Sequence, residues 1–139
     1  MVRELAPAFT AYCALQAEAY RRFARLHIAD RERADAAVER CLAEAATAWH
    51  HILSSPRPAA AVWQILTRHL ANQPPGTATL AHVLRVRVAA PTADILLLHH
   101  VLHLSPAQIA DLTGTDPATI TCRLRAGQRS LATTAARTS

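Results

Sequence analysis

The chain is 139 residues long, enough for one ordinary domain or two small helical ones and too short for an enzyme with large insertions. Hydrophobic residues make up 51% of it and glycine occupies only 3 positions, which favours helices over a turn-rich β architecture and excludes wholesale disorder. All 15 basic side chains are Arg against 10 carboxylates, and the net charge of +5 suits an anionic partner without requiring one.

Phe9, Cys13, Tyr20 and Phe23 recur at helical spacing, with Arg21, Arg22 and Arg25 between them, and predict an amphipathic helix from Phe9 to His27. A second helix is expected to start at the Asp30 cap and to run through Ala34, Val38, Cys41, Ala45, Trp49 and Ile52 as the longest in the protein. The SSPRP segment, Ser54 to Pro58, interrupts the chain, and Val62, Ile65, Leu66, His69 and Leu70 predict a third helix ending before Pro74, Pro75 and Gly76. That turn is the expected domain boundary. Leu80, Val83, Leu84 and Val88 fit a further helix, closed by Pro91. Trp49 and Trp63 read as core anchors of the N-terminal bundle.

The sharpest local signals follow the apolar run from Ile95 to Leu102. In Ser105-Pro106-Ala107-Gln108 the Ser and Gln can satisfy each other's backbone and Pro106 sits at the first helical position. The helix so begun ends at Gly114, and a second start follows at once with Asp116 as cap and Pro117 behind it. Two helices this close can pack only through small or apolar faces, which Ile109, Ala110, Leu112, Ile120 and Leu124 provide. The pattern predicts a helix-turn-helix. Its second helix, from Pro117 to about Leu131, turns Ala118, Thr119, Thr121, Cys122, Arg125, Gln128 and Arg129 outward, a set that can approach a major groove and bond phosphates or base edges.

The stretch from Asp94 to Leu131 resembles the C-terminal promoter-reading region of extracytoplasmic-function sigma factors. Ser105, Ile109, Ala110, Gly114, Thr119, Ile120, Arg123 and Leu124 match that family's pattern, several of them shared with response-regulator helix-turn-helices. The N-terminal half is similar more faintly through Phe9, Tyr20, the segment from Ala29 to Leu42, Val62-Trp63, Ile65 and Arg68. The resemblance implies an all-α protein: a region-2-like bundle over 1–72, a linker over 73–91 and a region-4-like DNA-binding domain over 92–139. It further implies promoter DNA held by Thr119, Thr121, Arg125 and Arg129, with core RNA polymerase and an anti-sigma protein as further partners. Where the family places acidic residues that grip polymerase, this chain has Ala36 and Arg40, with Asp35 and Glu39 one residue off, so the expected polymerase face is Asp35, Glu39 and Arg40. The loop from Trp49 to Ala61 lacks the aromatic and basic set that melts DNA.

Other chemistry has thinner support. Cys13, Cys41 and Cys122 form no CxxC pair and read as small buried hydrophobes in a reducing compartment. Arg3 and Glu4 precede any apolar run and no stretch is long enough to span a bilayer, so a cytoplasmic, membrane-free location is expected. His99 and His103 have the one-turn spacing of a ligand pair but lack further ligands, His103 falls where the sigma family has a helix-ending Gly, and His50 and His51 read as surface residues. No nucleophile or phosphate-loop signature occurs, the carboxylates fall mostly on solvent faces, and neither catalysis nor a cofactor is expected. A protein-interaction module on the same fold is the alternative. Arg123, Arg125 and Arg129 on one exposed face would favour DNA, and a split set would favour the interaction module.

Overall fold

The computed structural model describes residues 7–72 and 79–138 and is all-helical, with no strand among them. Helix α1 (Pro7–His27) is followed by α2 (Arg31–Thr47), whose first turn is closed by Asp30: its carboxylate accepts from Glu32 N at 2.9 Å and Arg33 N at 3.2 Å. The second helix is not the longest, and it does not reach Ile52. At Ala48 the backbone leaves helical geometry (φ −97°, ψ 8°), its N–H turns to Glu44 O and Ala46 O, and a separate helix α3 (Trp49–Leu53) begins. The break sets Trp49 edge-on against Phe9, ring centroids 5.0 Å apart, and buries Ile52. Proline opens α4 (Pro58–Ala71), which buries Val62, Leu66 and Leu70 against α2. Trp49 is the core anchor expected, whereas Trp63 is only half-buried, leaning on Tyr20 and Phe23.

The expected break from Pro74 to Gly76 lies outside the described residues. Within the expected linker stands α5 (Leu80–Arg87), capped by Thr79 and packed on α1. Pro91 opens rather than closes an element: it lies in the first turn of α6 (Ala90–Leu96), where its missing N–H costs nothing. The apolar run then widens into a π-helical turn over Leu97–Val101, with Leu102 N donating to Leu97 O at 3.1 Å. Its reversal is made by His103 at φ 59°, a left-handed residue at the position where the resemblance expects glycine. Helices α7 (Pro106–Thr113) and α8 (Pro117–Thr138) follow, and α8 is the longest among the described residues. Buried residues from Phe9 to Leu124 form one cluster that draws on helices before and after residues 73–78.

The junction of α1, α5 and α6 holds charge. Asp94, 6% exposed in a run of buried apolar neighbours, accepts from Arg85 Nη2 through both oxygens at 2.9 and 3.0 Å. Burial pushes this carboxyl above its ordinary range, and Arg85 opposes the shift. His27 Nε2 lies 3.7 Å from the same carboxylate, beyond hydrogen-bond reach. Burial first, and then the Arg85 charge, hold His27 down from 6.5 to about 3, so it is neutral in the folded protein. An unfolded chain takes up this proton near pH 6.5. Stability from His27 is therefore complete above that value and is lost as pH falls toward 3, at about 1.4 kcal/mol per unit. Between about pH 7 and pH 5, the stability advantage of wild type over His27→Gln should shrink by about 2 kcal/mol in urea unfolding. An advantage that stays constant would mean that His27 titrates normally when folded.

Candidate functional site

The turn between α7 and α8 is built by local chemistry. Gln108 N donates to Ser105 Oγ at 3.1 Å while Ser105 N donates to Gln108 Oε1 at 2.8 Å, the reciprocal cap expected from the sequence. Gly114 ends α7 in the left-handed region at φ 70°, its N–H donating to Ala110 O at 2.9 Å. Thr119 N donates to Asp116 Oδ2 at 3.2 Å and starts α8. Between the helices, Ile109, Ala110, Leu112, Ile120 and Leu124 are buried as expected. The turn rests on the N-terminal part of the chain, where Arg57 Nη1 donates to Gly114 O at 3.2 Å.

Ala118, Cys122, Arg125 and Arg129 are exposed and follow one another in steps of four, three and four residues, which puts them in one stripe along α8. Gln128 flanks the stripe and donates from Nε2 to His100 Nε2 at 3.0 Å. Thr119 and Thr121 are half-buried, and both hydroxyls are engaged locally: Thr119 Oγ1 on Asp116 at 3.5 Å and Thr121 Oγ1 on Pro117 O at 3.2 Å. Arg123 does not join the stripe. It lies two residues from Arg125, nearly opposite on a helix of 3.6 residues per turn, and lines a cleft against α4. Of the three arginines, two share a face and one is apart.

On α2, Glu39 and Arg40 are exposed, but Asp35 accepts two bonds from Arg25, at 3.1 and 3.2 Å, and this hydrogen bonding holds its carboxyl below the ordinary range. Cys122 is exposed, in keeping with its outward assignment on α8 and not with the buried role read for the cysteines, and Cys13 is only half-buried. Cys41 is buried and its thiol is pushed up to about 12, chiefly by desolvation. His50 and His51 are exposed. His99 Nδ1 donates to Leu104 O at 2.9 Å and so braces the reversal at His103, and no group of three metal-ligating side chains occurs among the described residues.

Sequence reasoning missed the Arg85–Asp94 pair, which is nine residues apart and has no motif, although a lone carboxylate inside the run from Ala93 to Leu98 was a usable signal. The side taken by Arg123, left open by the sequence, is the half-buried one. That residue follows the inward Ile120 by three and precedes Leu124, so its helical position already pointed toward the packed side. Among the described residues no helix is long and apolar enough to cross a membrane. No protein-family model matches the chain, and no curated protein is significantly similar to it.

Proposed function

We propose that the chain is a sigma-factor-like transcription regulator that binds duplex promoter DNA through α8, with α7, the Gly114 turn and α8 acting as a helix-turn-helix beside an N-terminal helical bundle. The observation that carries this reading is the exposed stripe of Ala118, Cys122, Arg125 and Arg129 immediately after a tightly capped turn. Small side chains at the start of α8 let its backbone approach the floor of a major groove about 12 Å wide. Arg125 and Arg129, one turn apart, can then reach guanine edges or phosphates. The net charge of +5 favours the encounter. Core RNA polymerase is a second partner of this reading, met through the exposed Glu39 and Arg40, with Asp35 held in place by Arg25.

Binding is tested by selecting duplexes from a random pool and measuring anisotropy across a salt series. Arg125→Ala should weaken binding to the selected duplex and reduce the log–log salt slope by about 0.9, the counterion released from one phosphate contact. Arg22→Ala, which changes an exposed arginine on α1, should leave the slope unchanged. Failure to select any duplex, or equal slopes for Arg125→Ala and wild type, would refute DNA reading by α8.

One observation favours the interaction module: Arg123 is turned away and the Thr119 and Thr121 hydroxyls are engaged, which leaves Arg125 and Arg129 as the outward charges among the described side chains of α8. In that case tagged protein retains core RNA polymerase after Arg125→Ala and loses it after Glu39→Ala.

A further inference from the structure

Between α4 on one side and α5, α6 and α8 on the other lies an open cleft of about 550 Å³, well within the size of small-molecule sites. Trp63 lines one wall, and Pro91 and Ile95 contribute apolar surface. Three guanidiniums also line it, and their states differ. Arg68 is paired with Glu44. Arg85 is bound to both oxygens of Asp94. Arg123, half-buried, has no hydrogen-bond or ion-pair partner among the described residues. Its N–H donors are thus open to a ligand in the cleft, with no protein acceptor to displace.

The charge count selects the ligand. With Arg68 and Arg85 already paired, the cleft offers one uncompensated positive charge, and the Asp94 carboxylate in its lining disfavours a second negative one. A monoanion fits, and a doubly charged phosphate ester does not. Arg123 presents the planar fork that a carboxylate meets with two parallel bonds, and Trp63, Pro91 and Ile95 in the same lining suit a flat apolar body. We propose that this cleft is a binding site for a small aromatic carboxylate, its acid group on Arg123 and its ring against Trp63. Because the walls come from segments on both sides of residues 73–78, an occupant ties α4 to α8. The inference does not depend on whether α8 reads DNA.

Isothermal titration calorimetry of the full chain with phenylacetate and 2-naphthoate, each against its neutral amide, tests this directly. The acids should bind saturably, 2-naphthoate more tightly for its larger ring, and the amides at least ~10-fold more weakly, as loss of one charge-assisted contact requires. Arg123→Gln should cost the acids ~10-fold or more and bring acid and amide level, and Arg123→Lys should recover part of the loss. Circular dichroism melting checks that both variants fold, and the acid-to-amide ratio on wild type stands without them. No saturable heat from either acid, equal binding of acid and amide, or inorganic phosphate binding as well as 2-naphthoate would each overturn the assignment.

Discussion

Gly114→Ala should lower the thermal unfolding midpoint by roughly 10 °C, the counterpart of about 3 kcal/mol in a chain of this size. Two independent costs combine. At φ 70° an L side chain pays about 1 kcal/mol or more that glycine does not. In addition, a Cβ here would stand 2.2 Å from Ala60 N and 2.7 Å from Ala60 Cα, both backbone-fixed atoms that no rotamer change can move. The α7–α8 turn must then lift off α4, and the Arg57 bond to Gly114 O goes with it. Gly127→Ala is the matched control. Its Cβ would meet Thr92 Cγ2 at 2.8 Å, Leu96 Cδ1 at 3.0 Å and Leu96 Cγ at 3.2 Å, side-chain atoms that must shift by a few tenths of an ångström where Ala60 backbone cannot, and alanine returns about 1 kcal/mol of helix propensity. Circular dichroism melts of the two variants should therefore differ strongly. A Gly114→Ala protein that melts with the wild type would show that the turn is not seated on α4 as closely as these distances require.

The contrast between these glycines shows what was legible in the sequence. Local rules placed the α7 and α8 caps correctly, because Ser105, Gln108, Asp116, Pro106 and Pro117 act on backbone within three residues of themselves. Gly114 was legible as a helix end but not as a contact, since Ala60 is remote in sequence. The break at Ala48 was invisible to periodicity: Cys41 and Ala45 before it and Trp49 and Ile52 after it keep one apolar rhythm, and the Phe9–Trp49 contact that accompanies the break joins residues remote in sequence. The π-helical turn was equally hidden, because a run such as Leu96 to Leu98 has apolar residues on every face and no period to read. At the candidate interface, Arg125 and Arg129 were placed outward correctly, whereas the outward assignment of Thr119 and Thr121 ignored how readily a threonine hydroxyl bonds the preceding turn.

Asp94→Leu should cost about 2–3 kcal/mol, and adding Arg85→Met should restore at least half of it. Asp94 is 6% exposed and both its oxygens are used by Arg85, whose Nε is itself buried without a partner. Removing the carboxylate leaves a guanidinium in a space that water reaches poorly, the costly half of breaking a buried pair. The remaining exposure of the Arg85 side chain, 28%, keeps the cost below that of a fully buried pair, because part of the charge can be rehydrated. Replacing both groups removes the stranded charge and leaves apolar side chains beside Ile95 and Leu96, an exchange that is often neutral in protein interiors. The double-variant cycle therefore separates two accounts of why α5 stays docked on α1 and α6 on α5. If Asp94→Leu is harmless, apolar packing alone holds the junction. If the double variant is as unstable as the single one, Asp94 matters through its shape and its contact with His27, not through the charge on Arg85.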